Sequence, residues 1–241
     1  MTRKYDDPYF DALRGGSLRS AQVVVPIVLG LVKAQSVIDV GCGSGAWLRA
    51  FKENGVKTVR GIDGAQYSEL LIDPSEFDKV NLEQPFKMER QYDLAVSLEV
   101  AEHLPSRKSR NFVACLTALA PVILFSAAIP GQRGTHHINE QWPTYWQVLF
   151  QEHGYRRLDR IRPHILNHSQ VEWWYRQNIY LFASQQGIGR SPVLQGEDAF
   201  DNLELTHPAV FERLLSVRGL LRELPRAVRR RYNRRRGLLH R

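Results

Sequence analysis

The chain has 241 residues, a hydrophobic fraction of 43% and a formal net charge of +8. This length and composition allow a full hydrophobic core, which excludes a low-complexity protein and favours one globular catalytic domain. Cys42 and Cys115 are the only cysteines, which argues against a disulfide framework or a cysteine zinc site and favours a reducing compartment. The N-terminus has no apolar core, and Pro26 and Gly30 interrupt the apolar segment 23–32. We therefore expect neither a signal peptide nor a membrane span, and a cytoplasmic location.

Helices and short apolar strands alternate along the chain. A helical lead-in is predicted to end near residue 33, and a later helix is predicted over residues 142–153. The predicted strands are 36–40, 57–62, 77–81, 91–98 and 120–125. This alternation predicts an α/β fold with a mainly parallel, doubly wound sheet, whose ligand lies outside the carboxyl ends of the strands.

Asp39 stands at the end of the first predicted strand, two residues before the first glycine of a glycine-rich turn. The turn contains Gly41, Cys42, Gly43 and Gly45. Glycine lets the backbone approach a ligand that a Cβ atom would repel, and the N-terminus of the next helix lies alongside. Ala46 stands where a dinucleotide-binding fingerprint has its third glycine, which argues against a nicotinamide or flavin cofactor.

The second predicted strand also ends in an acidic residue, Asp63, which is followed by Gly64. A carboxylate at this point of a doubly wound sheet hydrogen-bonds the ribose hydroxyls of a nucleoside, so Asp63 is the predicted ribose ligand. Because Asp-Gly is also a common turn sequence, a solvated turn aspartate is the alternative.

The fourth predicted strand has the sequence D-L-A-V-S-L and is followed by E-V-A-E-H-L, residues 99–104. Together with the glycine turn, this pattern resembles the class I S-adenosylmethionine (SAM) methyltransferases. More narrowly, it resembles the quinone-biosynthesis O-methyltransferases. The resemblance covers residues 36–183 and implies SAM as cofactor. It also implies a Rossmann-like sheet of seven strands with an antiparallel edge strand, supplied by a hairpin near 155–159 and 178–183.

The resemblance also implies a set of cofactor contacts. The end of the third strand faces adenine in the family, which selects Asn81 and Leu82. Relatives often have an aspartate there, so this part of the site departs from the pattern, and a simple loop is the alternative. The implied contacts are Asp39, Gly41, Cys42, Gly43, Gly45, Asp63, Gly64, Asn81, Leu82, Ser97, Leu98 and Glu99.

In the quinone-biosynthesis enzymes the E-x-x-E-H motif can bind a divalent cation, and by position this selects Glu99, Glu102 and His103 as metal ligands. Side chains three or four residues apart share one face of a helical turn, so they can meet one ion. Oxygen-rich ligation suits magnesium, the expected ion, or calcium, whereas the histidine leaves room for zinc or manganese. Many relatives carry E-H without a metal, and a histidine packed near the cofactor is the alternative.

The loop after the fifth strand, residues 130–142, is the predicted acceptor site, since it faces the transferred methyl group in such enzymes. A hydroxyl acceptor must lose a proton, either to a neutral histidine or through acidification by a bound cation. We expect His137 first, then His136 and His103, to act as base or metal ligand. The alternative is a loop histidine that caps a backbone group. Glu140 either orients the base or is a solvated side chain.

The sequence H-H-I-N-E-Q-W-P-x-Y-W, residues 136–146, and V-E-W-W-Y-R-Q-N, residues 171–178, resemble methyltransferases of bacterial surface-glycan and polysaccharide pathways. Exposed Trp and Tyr commonly hold sugar faces, whereas buried aromatics are ordinary core. The predicted function is therefore O-methylation of a sugar hydroxyl in a glycan precursor, assisted by a divalent cation. A quinol, a small phenol or the 2′-hydroxyl of RNA as acceptor, and a non-catalytic SAM-binding scaffold, are the alternatives.

The basic excess lies at the C-terminus, where residues 218–241 contain ten arginines and one acid, Glu223. We predict a catalytic domain over residues 1–184, a linker over 185–205, and a basic amphipathic helical tail over 206–241. Such a tail suits peripheral attachment to the anionic inner face of a membrane, where a lipid-linked glycan is presented. Nucleic acid is the less favoured partner. The alternative is a solvated tail that docks on the catalytic domain or on another subunit of a homo-oligomer.

Overall fold

The structure is a computed structural model that describes residues 8–196, 206–208 and 212. The chain divides into two compact units, residues 1–205 and 206–241. The predicted basic tail lies outside the described residues except at 206–208 and 212. The helices and strands of the first unit are α1 (Pro8–Leu31), β1 (Ser36–Val40), α2 (Ala46–Glu53), β2 (Thr58–Asp63), β3 (Phe77–Lys79), β4 (Leu94–Leu98), α3 (Ser109–Leu119), β5 (Val122–Ser126), α4 (Pro143–Gln151), β6 (Tyr155–Leu158), α5 (Arg162–Ile165), α6 (Trp173–Asn178), β7 (Tyr180–Ser184) and α7 (Gln185–Arg190).

The strands form one seven-stranded sheet in the order β3-β2-β1-β4-β5-β7-β6. Every neighbouring pair is parallel except β5–β7 and β6–β7, which are antiparallel. The predicted Rossmann-like doubly wound sheet with an antiparallel hairpin at its edge is confirmed. The chain winds outward from β1 through β2 to β3 and, on the other side, from β4 to β5, so the crevice for a ligand lies beyond the carboxyl ends of β1 and β4.

The central strands β1, β4 and β5 are buried at every position. Continuous apolar runs are typical of parallel strands that are covered on both faces. Alternate residues point to opposite faces, so Val37 belongs to one hydrophobic cluster and Ile38 to the other. The sheet is therefore held between two packed layers, which fixes the strand ends that carry the predicted site residues.

The first part of the predicted linker, residues 185–196, is folded, and residues 197–205 lie outside the described residues. α7 follows β7 directly, and a Cβ atom on Gly187 would lie 2.5 Å from the Pro121 carbonyl oxygen. Leu194 is fully buried, and its carbonyl oxygen accepts a hydrogen bond of 3.1 Å from Arg156 Nη2. The glycine at 187 thus reflects close packing rather than a flexible connection, and the folded domain continues past residue 184. Within the described residues, no helix has the length and hydropathy that crossing a bilayer requires.

Candidate active site

The glycine turn after β1 requires glycine for its backbone conformation. Gly41, Gly43 and Gly45 have φ angles of 84°, 57° and 92°, which side chains rarely allow. A Cβ atom on Gly41 would lie 2.3 Å from Val100 Cγ2, whereas one on Gly43 would meet no described atom within 4 Å. Gly43 therefore borders open space, where a ligand can approach the backbone closely.

Asp63, at the end of β2, faces this turn. Its Oδ2 accepts a hydrogen bond of 2.9 Å from the Gly43 amide, and its Oδ1 accepts one of 2.8 Å from the Ala65 amide. A carboxylate has about four lone-pair sites, so each oxygen retains capacity for a ribose hydroxyl. The carboxylate is thus fixed beside the turn, which suits the predicted ribose contact.

Asp39 lies beneath the turn and is buried. Burial, and secondarily the charge of Asp63, raise the pKa of Asp39 well above its usual range. A carboxyl whose pKa is higher in the folded state contributes stability that is fully present below its unfolded pKa and is lost as the pH rises through the folded pKa.

Replacing Asp39 by asparagine is therefore expected to raise the melting temperature at pH 7, with a difference that shrinks as the pH falls toward 4. Asp73→Asn is the control of opposite sign, because hydrogen bonds from Ser75 lower the pKa of Asp73. This control is expected to lower the melting temperature at pH 7. Thermal denaturation of the ligand-free proteins across this pH range measures both effects. A melting-temperature difference between Asp39→Asn and the unsubstituted protein that does not change with pH would contradict the raised pKa of Asp39.

The segment after β4 is joined to the loop after β5, the predicted acceptor loop, through backbone hydrogen bonds. Glu99 turns the chain with a φ of 56°, and its amide donates to the carbonyl oxygen of Ser126 at 3.0 Å. The carbonyl oxygen of Glu102 accepts from the amides of Ile138 and Asn139 at 2.9 and 3.0 Å. Two segments far apart in sequence are thereby held at the carboxyl ends of β4 and β5.

Glu102, His103 and His137 converge in this region. Each offers one metal-ligating atom, and these three atoms lie within 4.8 Å of one another. His137 Nε2 is 4.0 Å from Glu102 Oε1, and the two imidazole rings are in T-shaped contact with centroids 4.9 Å apart. The structure therefore brings together two of the three predicted metal ligands and adds the residue predicted first as base.

Glu102 is a buried carboxylate whose oxygens are poorly satisfied. Its side chain is fully buried, and neither carboxylate oxygen forms a hydrogen bond of normal geometry with a described residue. Burial, and secondarily the charge of the nearby Glu99 carboxylate, raise the pKa of Glu102 well above its usual range, and weaker contacts with the backbone amides of Glu102 and Ala128 only partly oppose this shift. Leaving such a group unpaired is costly, and a divalent cation held by a carboxylate and two imidazoles would satisfy it. The residues present thus fit a cation.

Glu99, also predicted as a ligand, lies outside this group of three. Its Oε2 accepts from Gln132 Nε2 at 2.8 Å, and its Oε1 accepts from Asn178 Nδ2 at 3.1 Å. Burial raises the pKa of Glu99, although these hydrogen bonds oppose the shift. Sequence reasoning missed Gln132 and Asn178, and Asn178 is 79 residues from Glu99, so no local pattern could have indicated it.

The two other predicted bases are placed differently. His136 has a φ of 61° and an exposed side chain that does not join the group of three, although its carbonyl oxygen is 3.3 Å from His103 Nδ1. Burial, and secondarily the charge of His137, lower the pKa of His103. His103 is therefore neutral near pH 7 and has an imidazole lone pair for a cation or a proton.

The predicted adenine contacts lie at the end of β3. This strand ends at Lys79, two residues earlier than predicted, because Asn81 begins a turn in which its Oδ1 accepts from the Glu83 amide at 3.0 Å. Leu82 and Leu98 are buried, and the hydroxyl of Ser97 is buried without a partner among the described residues. The adenine contacts of Asn81 and Leu82 stay predictions.

The aromatic residues predicted to hold a sugar have two different environments. Trp146 is buried against Phe125, with ring centroids 5.3 Å apart, and Tyr175 is buried against Trp47 at 5.1 Å. These are core residues. Trp142, which precedes α4, is 39% exposed and remains able to contact an acceptor.

Comparison with known proteins gives a family match. The family model described as a methyltransferase domain matches residues 19–178. None of the curated proteins compared with the chain matches it significantly.

Several solved structures share the fold. The methyltransferase domain of a bacterial Hen1 protein, CtHen1-C, is 20% identical with a TM-score of 0.53, and the match covers 70% of this chain and 98% of that one. DesVI from Streptomyces venezuelae is 13% identical with a TM-score of 0.53, covering 76% and 100%. CalS10 from Micromonospora echinaspora, an amino pentose methyltransferase solved with SAM bound, is 14% identical with a TM-score of 0.51, covering 77% and 100%. At these identities the likenesses show the shared fold.

Proposed function

Because this chain belongs to the methyltransferase domain family and is a SAM-dependent methyltransferase, we propose that it methylates a hydroxyl group with the help of a divalent cation. The observation that carries this proposal is the buried Glu102 carboxylate, whose two oxygens form no hydrogen bond of normal geometry with a described residue while the imidazoles of His103 and His137 converge beside it. A hydroxyl is the acceptor that most needs such a centre, since it must lose a proton during transfer.

Glu102, His103 and His137 would hold the cation, with magnesium as our first choice and manganese as the ion that two imidazoles also suit. A bound cation lowers the pKa of a coordinated hydroxyl. The side-chain amides of Gln132 and Asn178 donate hydrogen bonds that hold the Glu99 carboxylate near these three residues. Glu99 then serves either as an additional ligand or as a proton acceptor from the hydroxyl.

The glycine turn and Asp63 would hold the donor. When bound, SAM supplies a methyl group already activated on a sulfonium, so the protein contributes mainly position. Gly43 leaves room for the donor, Asp63 would accept hydrogen bonds from its ribose hydroxyls, and Asn81 and Leu82 would face its adenine.

We further propose that the acceptor is a sugar of a glycan precursor. Ile138 and Trp142, which are 64% and 39% exposed, lie in the same loop as His137. An exposed indole on the loop that supplies a proposed cation ligand suits the apolar face of a sugar ring. Quinols, small phenols and the RNA 2′-hydroxyl are the competing acceptors. Each can be offered separately as the acceptor in an assay of methyl transfer from labelled SAM.

The arginine-rich segment 218–241 is proposed to attach the protein to anionic lipid at the inner face of the membrane, where a lipid-linked acceptor would be met. The supporting feature is its ten arginines against one acid. We propose a cytoplasmic location on the same ground.

This attachment predicts a specific charge dependence. The full chain is expected to cosediment with vesicles containing phosphatidylglycerol but not with pure phosphatidylcholine vesicles. Replacing six arginines by glutamine should weaken the binding more than about 10²-fold, since each basic residue near such a surface contributes about 1 kcal/mol. The six are Arg229, Arg230, Arg231, Arg234, Arg235 and Arg236. Equal sedimentation of both proteins would contradict the attachment, and a steep salt dependence of RNA binding that the six substitutions remove would favour nucleic acid instead.

A further inference from the structure

The loop between β5 and α4 is folded around the carboxylate of Glu140. Glu140 Oε2 accepts a hydrogen bond of 2.8 Å from the Gly131 amide, and Oε1 accepts one of 2.6 Å from the Arg133 amide. Gly131 and Arg133 both have positive φ angles, 91° and 59°, which turn their amides toward one point. Converging backbone amides of this kind form an anion-binding concavity, and here the anion comes from the chain itself. Glu140 is therefore a built part of the loop rather than a solvated side chain.

The same carboxylate contacts His137. Glu140 Oε1 is 3.2 Å from His137 Nδ1. Both Glu140 oxygens already accept hydrogen bonds from backbone amides, so the carboxylate faces His137 as an acceptor. Nδ1 is then the donor of this contact. In a neutral imidazole with its hydrogen on Nδ1, the lone pair is on Nε2, the atom that lies 4.0 Å from Glu102.

Gly134 leaves the space in which the imidazole of His137 lies. A Cβ atom on Gly134 would lie 2.0 Å from His137 Nε2 and 2.4 Å from Cε1. The φ angle of Gly134 is not in the left-handed region, so its backbone would accept alanine. The glycine is needed for the space that the imidazole occupies and not for the turn.

We propose that Glu140 and Gly134 are positioning residues that hold the imidazole of His137 with Nε2 toward the Glu102 carboxylate, so that the cation meets a preoriented ligand. The proposal rests on the proposed function, because the two residues position a ligand of the cation that Glu102, His103 and His137 are proposed to hold. In metal sites generally, a carboxylate that accepts the second ring hydrogen of a ligating histidine fixes its tautomer and orientation. Neither residue touches the reacting atoms, and both act through His137.

The first test is Glu140→Gln, compared with Glu152→Gln, whose side chain is more exposed and pairs with Arg110 instead. A glutamine has one oxygen for three donors, so His137 loses its fixed partner. Titration with Mn²⁺ in the presence of S-adenosylhomocysteine is expected to show 10- to 100-fold weaker cation binding for Glu140→Gln, the range common for such partners. Glu152→Gln should match the unchanged protein. SAM affinity should be the same in all three.

The second test is Gly134→Ala, compared with Gly189→Ala, where an added Cβ would meet no described atom within 4 Å. Gly134→Ala is expected to weaken Mn²⁺ binding by a similar factor, with activity restored at high cation concentration. Gly189→Ala should leave both unchanged. For Gly134→Ala, the KM for the cation should rise while kcat at saturating cation stays unchanged. This combination indicates a positioning role, because a general loss of structure would lower kcat as well.

The tautomer of His137 gives a readout that needs no cation. Nitrogen-15 spectra of the cation-free protein are expected to show His137 with its hydrogen on Nδ1, and Glu140→Gln should reduce the population of this tautomer. An unchanged tautomer together with unchanged Mn²⁺ affinity in Glu140→Gln would overturn the proposal. If the unsubstituted protein binds neither Mn²⁺ nor Mg²⁺, the cation centre of the proposed function fails, and the two outcomes are thereby distinguished.

Discussion

Replacing Glu102 by glutamine is expected to reduce methyl transfer by about 10²- to 10⁴-fold, the range that loss of proton-transfer assistance commonly costs, while SAM affinity stays unchanged. The substitution keeps the shape of the side chain but removes the charge that a cation requires. Because the Glu102 carboxylate is buried and its oxygens form no hydrogen bond of normal geometry with a described residue, neutralising it should leave the melting temperature equal or higher. Steady-state methyl transfer from labelled SAM, with calorimetry for SAM binding, measures both parts.

Glu53→Gln is the matched control for this experiment, because Glu53 is partly exposed and pairs with Arg49 on the surface of α2. Surface pairs contribute little, so activity and stability should be unchanged. Full activity of Glu102→Gln would show that methyl transfer does not depend on a cation held by Glu102. A large fall in its melting temperature would show instead that the buried carboxylate is a structural element.

Replacing Asp63 by alanine is expected to weaken SAM and S-adenosylhomocysteine binding by about 10²-fold or more. Two ribose hydroxyls would lose a charged acceptor, and hydrogen bonds to charged groups contribute about 1.5–3 kcal/mol each. In the unsubstituted protein the Gly43 amide donates a hydrogen bond of 2.9 Å to Asp63. Asp63→Ala removes this bond, so the turn also loses part of its support. Isothermal titration calorimetry measures the dissociation constants directly.

Asp78→Ala, in the neighbouring strand β3, is the control for Asp63. Asp78 is about half exposed and forms a surface pair with Arg60. Its removal should leave donor binding unchanged. Equal SAM affinity for Asp63→Ala and the unsubstituted protein would contradict the ribose assignment and point to a turn aspartate whose role is to hold Gly43.

The sequence predicts the strands and the glycine turn well because their signals are local. β1, β4 and β5 are continuous apolar runs, and the buried pattern of each matches the predicted segment to within three residues. The glycines at 41, 43 and 45 mark positions where positive φ angles are needed. Each of these features depends on neighbouring residues, which the sequence displays directly.

The composition of the site was only partly predictable because it depends on contacts between distant segments. Glu102 and His103 are adjacent in sequence, so their motif could be recognised. His137 joins them because backbone amides of the next two residues bind the Glu102 carbonyl oxygen, a tertiary contact that no spacing reveals. The contacts of Glu99 are equally hidden, because its oxygens accept hydrogen bonds from the side-chain amides of Gln132 and Asn178, which lie far away in sequence.

The segment after β7 shows a different limit of sequence reasoning. Gly, Ser, Pro and Gln are typical of linkers, and this composition predicted one. The structure instead places Gly187 where only a hydrogen atom fits against the Pro121 carbonyl oxygen. Glycine as a response to close packing and glycine as a source of flexibility look the same in a sequence, and the packing partner decides between them.

The proposed function is tested most directly by methyl transfer from labelled SAM to fractionated cell lysate by the purified full chain, with and without a chelator. We expect label to enter a carbohydrate fraction as a methyl ether, chelator to abolish the transfer, and added Mg²⁺ or Mn²⁺ to restore it. Label in no fraction, or transfer that continues at the same rate with cations removed, would contradict the proposed cation-assisted methylation of a sugar.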